Sequence, residues 1–305
     1  MKGISNIKPS TDIATQVHPG GVMERAVNRG RSIGTILVED GRLASGDVAR
    51  ILDFAAERRL LFGDAGVELE LLKPDDVAFA LARQFSNPVL PRGGTDGVSD
   101  DLLAGYDPQS MLLEPLRNLR SQLMLRWYPE RTRRVLSIVS PGSGEGRSWL
   151  VANLATIFCQ IGVRTLIIDA DLRHPRQQQI FNLQGQPGLC ELLTGRAGGD
   201  VVRRIHPQMR LFVVGAGTLP PNPQELLSRP LFEAAVNRFA SQFDLVLLDT
   251  PPAAQSADAQ IVSAHARSAL LLARQDHTAR SQIRETLQNL LHAGTNVVGS
   301  VMCEH

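Results

Sequence analysis

Short runs of apolar residues alternate with longer amphipathic stretches from about residue 111 to the end of the chain. The apolar runs have the length of strands, and the stretches between them have the length of helices. Strands separated by helices predict a parallel sheet, because each parallel connection has to cross over one face of the sheet. The expected strands are VLSIVS, TLIIDAD, LFVVGAG, LVLLDTPP, SALLLARQ and VVGSVM. The pattern predicts an α/β fold with a doubly wound, mainly parallel sheet and helices on both faces.

A weak internal repeat precedes this pattern, in residues 29–92. The sequence around Ile33 returns at a constant offset around Phe62, and in both copies an apolar stretch leads to a helix start. Ser45 is the expected N-cap of one helix, and Pro74 suits the first turn of the other. Apolar residues then keep helical spacing. The repeat predicts a small, mostly helical domain built from two similar units.

The remaining segments are polar. Residues 1–28 contain several prolines and glycines, which favours a mobile arm. Residues 93–110 are rich in Gly, Asp and Ser, which is typical of a linker. The α/β domain is therefore predicted to occupy residues 111–305.

The composition narrows the function classes. Of 305 residues, 43% are hydrophobic and 21% are charged, as in soluble globular proteins. Lys+Arg total 32 and Asp+Glu total 31, so the net charge gives no reason to expect a nucleic-acid partner. The three cysteines lack CxxC spacing, which disfavours a disulfide framework or a zinc site and favours the cytoplasm. No apolar run approaches the ~20 residues of a membrane span.

A glycine-rich turn follows the first expected strand and precedes a helix. This segment reads PGSGEGRS, in the context that a nucleotide-binding P-loop requires. Glycines let backbone N–H groups approach phosphate oxygens, and the helix N-terminus adds partial positive charge. Ser148 stands where a hydroxyl ligates Mg²⁺. The predicted nucleotide-binding residues are Gly142, Ser143, Gly144, Glu145, Gly146, Arg147, Ser148 and Trp149.

Two positions of this turn depart from the usual GxxxxGK[ST] pattern. Pro141 replaces the first glycine and Arg147 replaces the lysine. Arginine keeps the positive charge and can contact phosphate with two N–H groups, but its planar group is not a compact ammonium. We expect nucleotide binding to tolerate this change better than catalysis, and Arg147 stays a candidate catalytic residue.

Three aspartates follow two of the expected strands. Asp169 and Asp171 end one strand, and Asp249 ends another. Carboxylates at the C-terminal ends of strands point into the ligand crevice of an open α/β sheet. Together with Ser148, Asp169 and Asp249 are predicted to hold Mg²⁺. Asp171 or Asp169 is predicted to accept the proton of an attacking hydroxyl. Each aspartate taken singly could equally cap a helix.

The segment from about residue 107 to residue 305 resembles bacterial tyrosine kinases of exopolysaccharide export, within the MinD/ParA superfamily of P-loop proteins. This resemblance implies ATP and Mg²⁺ as cofactors and transfer of the γ-phosphate to tyrosine. Partition ATPases carry an additional lysine early in the P-loop that this chain lacks, so partition roles are disfavoured. The motifs that carry the resemblance are GEGRS, IDADLRHP, GLCELL, GAGTLPPNPQELL and DTPP.

Glu114, Arg117 and Arg120 match the ExxRxxR helix of this family, which implies self-association into a homo-oligomer. Their spacing places them along one helical stripe, and a solvated helix face is the alternative. The repeat in residues 29–92 resembles the N-terminal domain of type II secretion ATPases. The combination is most similar to EpsG-type chain-length-determinant kinases. That likeness implies a separate membrane-anchored chain-length-determinant partner and contact with the membrane only through it.

Alternatives to self-phosphorylation stay open. The sequence ends VMCEH, and Tyr106 and Tyr128 are its two tyrosines. Phosphorylation of a terminal tyrosine cluster is therefore not expected, and Tyr106, in the expected linker, is the favoured acceptor within the chain. A nucleotide-gated assembly switch with little or no kinase activity is the second hypothesis. A third is that the N-terminal domain binds cyclic di-GMP, although Arg31 lies one residue too far from Gly34 for the related pattern.

Overall fold

The computed structural model describes residues 32–84, 90–91, 97–108, 110–128 and 134–304. The expected mobile arm and Arg31 lie outside the described residues. The helices and strands of the described ranges are α1 (Ile33–Glu39), α2 (Asp47–Arg58), α3 (Phe62–Glu68), α4 (Pro74–Gln84), α5 (Leu103–Tyr106), α6 (Glu114–Arg126), β1 (Val135–Val139), α7 (Arg147–Gln160), β2 (Thr165–Asp169), α8 (Gln177–Ile180), α9 (Leu189–Leu193), β3 (Arg203–Arg204), β4 (Leu211–Val214), α10 (Pro223–Leu227), α11 (Pro230–Gln242), β5 (Leu245–Asp249), α12 (Asp258–Ala266), β6 (Ser268–Arg274), α13 (Arg280–His292) and β7 (Asn296–Cys303).

The repeat of the N-terminal region is visible in its packing. Helices α1 and α3 are both seven residues long and hold equivalent places in the two units. A Cβ on Gly34 would lie 3.3 Å from a Val48 methyl group, and a Cβ on Gly63 would lie 2.7 Å from a Val77 methyl group. In each unit the glycine lets the next helix approach closely. The described residues of this region therefore form two helical units with similar packing.

One helix start differs from the prediction. Helix α2 is preceded by Gly46, which makes no side-chain cap, so Ser45 is not the N-cap. The side-chain cap in this region is Ser32, whose hydroxyl accepts from the Thr35 N–H at 3.1 Å. Pro74 is the first residue of α4, as its fixed φ suggested. Either residue of a Ser-Gly pair can stand at the N-cap position, and the local backbone conformation decides between them. The sequence pattern alone did not determine that conformation.

Seven strands form one sheet in the order β3-β4-β2-β5-β1-β6-β7. All neighbours are parallel except β3 and β4, which pair antiparallel at one edge. The prediction of a doubly wound, mainly parallel sheet is confirmed. The two-residue strand β3 was not predicted, because two arginines carry no apolar periodicity. No helix in the described ranges is long and apolar enough to cross a membrane.

Alternate residues of each strand pack into two different cores. In β2, Ile167 belongs to a core that includes α7, whereas Leu166 and Ile168 belong to a core that includes α11. Both cores consist of side chains that are almost wholly buried. Helices therefore cover both faces of the sheet, as expected for central strands that read as continuous apolar runs.

The expected linker is in part a structural element of the α/β domain. Leu102 is fully buried and packs in the same core as α7. Asn153 of α7 donates to the Asp101 carbonyl at 2.7 Å and accepts from the Ala104 N–H at 2.8 Å. Residues 97–108 are thus fixed to the helix that follows the glycine-rich turn. Their polar composition suggested a linker. The sequence did not show that they are held in place, because the residues that hold them lie about fifty positions away in the chain.

Candidate functional site

The glycine-rich turn between β1 and α7 exposes its backbone to solvent. Gly144 and Gly146 have φ angles of 71° and 88°. L-residues with side chains rarely adopt this left-handed region, so glycine is needed at both positions. The first N–H groups of α7 have no acceptor within the helix. The turn and the helix start together form a cradle of backbone donors suited to phosphate.

The Glu145 side chain shapes the turn from inside. It is 2% exposed. One carboxylate oxygen accepts from the Gly142 N–H at 2.9 Å, and the other accepts from the Thr278 hydroxyl in the turn after β6. Glu145 was predicted among the nucleotide-binding residues, and the structure leaves only its backbone for that role. Its carboxylate closes the turn and links it to the end of β6.

Arg147 points back into the turn. Its Nε donates to the Thr250 carbonyl at 2.9 Å, and one terminal nitrogen donates to the Ser140 hydroxyl and the Gly142 carbonyl. The side chain is 8% exposed, and this burial lowers the pKa of its guanidinium. Arg147 therefore braces the turn against the end of β5. The sequence predicted a positive charge at this position of the turn but gave no information on these three partners.

Asp169 and Asp249 end neighbouring strands and are paired in register. Both are fully buried. The two oxygens of Asp169 accept from the backbone N–H groups of Asp171, Arg176 and Gln177 at 3.2, 3.1 and 2.9 Å. Burial, together with the charge of Asp249, raises the pKa of Asp169 well above its usual value. Its hydrogen bonds organise the loop between β2 and α8.

Asp249 keeps one oxygen without a hydrogen bond. Its Oδ2 accepts from the Gln177 side chain at 2.8 Å, whereas Oδ1 is buried and has no partner among the described residues. Burial raises the pKa of Asp249, and hydrogen bonds from Gln177 and Ser148 partly oppose that shift. An unpartnered buried carboxylate oxygen close to a serine hydroxyl and a phosphate cradle suits Mg²⁺.

The donor set of this site agrees with magnesium better than with a transition metal. Within the described ranges, no group of three or more His, Cys, Asp and Glu side chains is placed to hold a metal ion. Magnesium in nucleotide sites is usually bound by one or two protein oxygens, phosphates and water. Ser148 and Asp249 supply such protein oxygens, so the residues present fit Mg²⁺.

Gln177 is a site residue that the sequence did not reveal. It is fully buried at the start of α8. Its amide nitrogen donates to Asp249 at 2.8 Å and to the Ser148 carbonyl at 3.0 Å, and its amide oxygen has no partner in the described part of the chain. It lies within a run of three glutamines. No motif distinguishes the first of these glutamines from the other two.

Asp171 lies beside the site, and its carboxylate stabilises the turn that follows β2. Its Oδ1 accepts from the N–H groups of Arg173 and His174 at 3.1 and 2.8 Å. Arg173 in turn pairs with the buried Asp258 at the start of α12, at 2.7 Å. Asp171 is 5% exposed, so a substrate can reach it only at its edge. The structure brings Asp171 to the same sheet edge as Asp169 and Asp249, as predicted.

A cavity of about 370 Å³ lies next to the phosphate cradle. A terminal nitrogen of Arg274 donates to the Gly144 carbonyl at 3.5 Å, which joins the cavity wall to the turn. The lining residues of the cavity are Arg274, Gln275, Asp276, His277 and Glu304.

The charged residues of α6 are Glu114, Arg117 and Arg120, and two of them form contacts within the chain. Arg117 pairs with Glu114 and also donates to the Pro108 carbonyl at 2.6 Å. Arg120 is half-buried, and burial lowers the pKa of its guanidinium, as does the charge of Arg117. Glu114 and Arg117 therefore stabilise the entry into α6, whereas Arg120 has no ion pair among the described residues.

Comparison with known proteins gives matches over about two thirds of the chain. No protein-family model matches the chain. The chain is 37% identical over 200 residues to a putative tyrosine-protein kinase, EpsB, of Ralstonia solanacearum, which covers 66% of this chain and 26% of that protein. This chain thus spans about a quarter of the length of that relative. The kinase domain of the Escherichia coli tyrosine kinase ETK superposes with a TM-score of 0.63 at 29% identity, over 66% of this chain and 78% of that domain.

A shorter relative matches over most of its length. The putative tyrosine-protein kinase CapB of Staphylococcus aureus is 33% identical over 196 residues, which are 64% of this chain and 85% of CapB. The matched region has the size of the α/β domain that carries the phosphate cradle and the paired aspartates. On this sequence similarity, and on the fold it shares with ETK, the chain belongs to the bacterial tyrosine-protein kinases.

Proposed function

We propose that this protein is an ATP- and Mg²⁺-dependent protein tyrosine kinase that regulates exopolysaccharide chain length or export together with a membrane-anchored partner. One observation supports the chemistry most directly. The buried Oδ1 of Asp249, which has no partner among the described residues, lies at the sheet edge near Ser148, in the first turn of α7. Family membership and the motif GAGTLPPNPQELL support the biological setting.

The roles of the site residues follow from their hydrogen bonds. Backbone N–H groups of residues 142–149 would bind the phosphates, and Ser148 and Asp249 would hold Mg²⁺, which neutralises charge on the transferred phosphoryl group. Asp169 fits direct coordination less well, because its oxygens already accept three backbone N–H groups. We assign to Asp169 the positioning of Gln177 and, through it, of Asp249.

The acceptor hydroxyl needs a base at the same edge. Asp171 is the better candidate, because it reaches the surface of the site, whereas Asp169 is fully enclosed. Its carboxylate would take the tyrosine proton as the tyrosine oxygen attacks the γ-phosphorus. The bond between the γ-phosphorus and the β–γ bridging oxygen would break, and ADP would leave with that bond's electrons. Arg147 would act on the phosphates through the turn that it braces, with its charge close to Asp249 and Asp171.

The two tyrosines of the chain differ as acceptors. The Tyr106 hydroxyl is near the surface and donates to the Asp100 carbonyl at 3.2 Å. Tyr128 packs against Trp127 and Phe158, with ring centroids 6.4 Å apart in both pairs. Burial raises the pKa of Tyr128, which disfavours loss of its proton to a base. We therefore propose Tyr106, or a tyrosine of another protein, as the acceptor.

The association partners proposed here are a second copy of the chain and a membrane-anchored chain-length-determinant protein. Arg120 supports the first, because its half-buried guanidinium lies on the same helix as Glu114 and Arg117, in the ExxRxxR pattern that implies self-association. Glu114 and Arg117 would support that contact by fixing the start of α6.

The kinase proposal is tested by incubating the full chain with Mg·ATP and a tyrosine-containing copolymer, followed by phosphotyrosine mass spectrometry. We expect phosphotyrosine in the wild-type protein and its loss in Asp249→Asn. Asp53→Asn, an exposed change in α2, is the matched control and should keep full activity. Equal phosphotyrosine in the Asp249 variant would contradict the assignment.

The nucleotide-gated assembly switch is the second candidate function. The observation in its favour is that Arg147 is committed to Thr250, Ser140 and Gly142, so its guanidinium is not directed at a transferred phosphate. This function predicts that ATP changes the association state without phosphate transfer. Light scattering on the full chain with ATP, ADP and no nucleotide distinguishes the two. An unchanged mass in all three conditions would exclude a switch that acts through self-association.

A further inference from the structure

The turn between β6 and α13 is joined to the glycine-rich turn through one hydroxyl group. Thr278 donates to a carboxylate oxygen of Glu145 and accepts from the Arg274 N–H at 2.8 Å. Because the hydroxyl oxygen already accepts from Arg274, the hydroxyl proton is directed towards Glu145. Thr278 and Glu145 are 133 positions apart in the chain. The motif of the glycine-rich turn therefore gives no sign of this contact.

Glu145 carries this contact to the inside of the glycine-rich turn. Its other carboxylate oxygen accepts from the Gly142 N–H at 2.9 Å. A Cβ on Gly142 would lie only 2.9 Å from the carboxylate, so the Glu145 side chain fills the space beneath the turn. In the described part of the chain, Thr278 and Gly142 are the hydrogen-bond donors of this carboxylate. A buried carboxylate needs such donors, so the position of Glu145 depends on Thr278.

The carbonyl groups of the glycine-rich turn are engaged within the protein, whereas most of its N–H groups are not. The donors to these carbonyl groups come from α7 and from the ends of β6 and β7. The pairs are Gly142 with Arg147, Gly144 with Arg274 and Glu145 with the Cys303 thiol. By contrast, the N–H groups of residues 143–146 donate to no group in the described ranges. The turn therefore presents free donors and few free acceptors, as an anion site requires.

Each engaged carbonyl fixes the direction of the N–H group that follows it. In a planar trans peptide, the carbonyl of one residue and the N–H of the next point in opposite directions. The Arg274 guanidinium lies 3.5 Å from the Gly144 carbonyl, so the Glu145 N–H points away from the β6–α13 turn. The Cys303 thiol, 3.4 Å from the Glu145 carbonyl and 3.5 Å from that of Ala273, adds a weaker contact of the same kind. The ends of β6 and β7 thus orient the donors of the phosphate cradle.

We propose that Thr278 is a positioning residue for the phosphates of the nucleotide. Through Glu145 it holds the glycine-rich turn against the β6–α13 turn, where Arg274 orients the N–H group that follows Gly144. Thr278 acts on the phosphates only through this hydrogen-bonded chain, so its loss should weaken nucleotide binding. This role rests on the nucleotide binding proposed above and adds to it a residue outside the glycine-rich motif.

The test is isothermal titration calorimetry of the full chain with Mg·ADP and with Mg·pyrophosphate, a probe that lacks the nucleoside. Thr278→Val keeps the shape of the side chain but removes the hydroxyl. We expect the affinity for both ligands to fall about tenfold, because a hydrogen bond to a charged group is lost. Thr278→Ser restores the hydroxyl and should recover most of the affinity. The matched control is Thr295→Val, which removes a buried hydroxyl without a partner in the described part of the chain and should change neither affinity.

A second variant tests whether Thr278 acts through Glu145. Glu145→Gln keeps the size of the side chain, but its single amide oxygen can replace only one of the two carboxylate oxygens. We expect it to weaken Mg·ADP binding as well. Addition of Thr278→Val to this variant should then cost less than Thr278→Val costs in the wild type, because residues in one hydrogen-bond chain are not additive. Urea unfolding checks the fold of every variant, and Glu145→Gln provides the test by itself if Thr278→Val is unstable.

Three results would overturn this role of Thr278. They are wild-type affinity in Thr278→Val, fully additive losses in the double variant, and a loss for Mg·ADP without a loss for Mg·pyrophosphate. In each of them the wild-type chain still binds Mg·ADP, so the proposed nucleotide site stands. If the wild-type chain bound neither ligand, the nucleotide site itself would be rejected, and the role of Thr278 with it. Kinase activity is not needed for any of these measurements.

Discussion

The side-chain amide of Gln177 donates to Asp249 at 2.8 Å, while its backbone N–H donates to Asp169 at 2.9 Å. One residue thus connects the two buried carboxylates that end β2 and β5. It also reaches the Ser148 carbonyl at 3.0 Å, at the start of α7. Gln177 is therefore placed to position Asp249 relative to the phosphate cradle.

Replacing Gln177 by leucine should weaken both the fold and Mg·ADP binding. The change removes one donor from the buried Asp249 carboxylate and one from the Ser148 carbonyl, and a lost hydrogen bond to a buried group costs about 1–3 kcal/mol. We expect a lower free energy of unfolding in urea and, by isothermal titration calorimetry, affinity for Mg·ADP reduced about tenfold. The neighbouring Gln179 is exposed. Gln179→Leu should change neither quantity, and equal effects of the two variants would count against a positioning role.

Arg147→Lys should separate the charge of this residue from its bracing contacts. A single ammonium cannot reach Thr250, Ser140 and the turn carbonyl together, so we expect a loss of about 1–2 kcal/mol in unfolding free energy. The charge remains, so affinity for Mg·ADP should stay within about threefold, whereas Arg147→Met should lose about tenfold or more. Calorimetry and urea unfolding measure the two effects. Undiminished nucleotide binding by the methionine variant would refute the role of the charge.

The three thiols should differ in reactivity. Burial raises the pKa of Cys159 to about 11, so below that pH the group stays a protonated, unreactive thiol. Cys190 is also buried, and Cys303 is partly exposed. We expect a chromogenic disulfide reagent at pH 8 to titrate one thiol in the native protein and three in urea. Cys303→Ser should abolish the native signal. Rapid reaction of two or more thiols in the native protein would contradict the burial of Cys159 and Cys190.

Asn153→Ala should release the segment that was expected to be a linker. Its side chain donates to Asp101 and accepts from Ala104, and both groups would lose their partner. We expect unfolding free energy to fall by about 1–3 kcal/mol and limited proteolysis to begin within residues 97–108. Asn289→Ala, at an exposed position of α13, is the control. If both variants resist protease equally, the segment is held by other contacts.

Much of the fold could be predicted because it depends on patterns that are local in the sequence. Buried strands such as Val135–Val139 read as continuous apolar runs, and the intervening helices have their own periodicity. The repeat around Gly34 and Gly63 is also visible in the structure, because each glycine contacts a valine of the next helix at a fixed spacing along the chain. The N-cap of α2 and the strand β3 were missed, because neither is determined by periodicity.

By itself, the sequence determined the glycine-rich turn, the aspartates at or just after two strand ends and the parallel sheet that brings them to one edge. These follow from chain direction: the carboxyl ends of parallel strands meet at one edge, whatever the packing. Only the tertiary structure decided how the groups are used. Asp169 accepts hydrogen bonds from backbone N–H groups, whereas Asp249 keeps one oxygen without a partner among the described residues. Gln177 connects the two carboxylates. Hydrogen bonds between distant segments depend on how these segments approach each other in three dimensions, and no spacing along the chain encodes that approach.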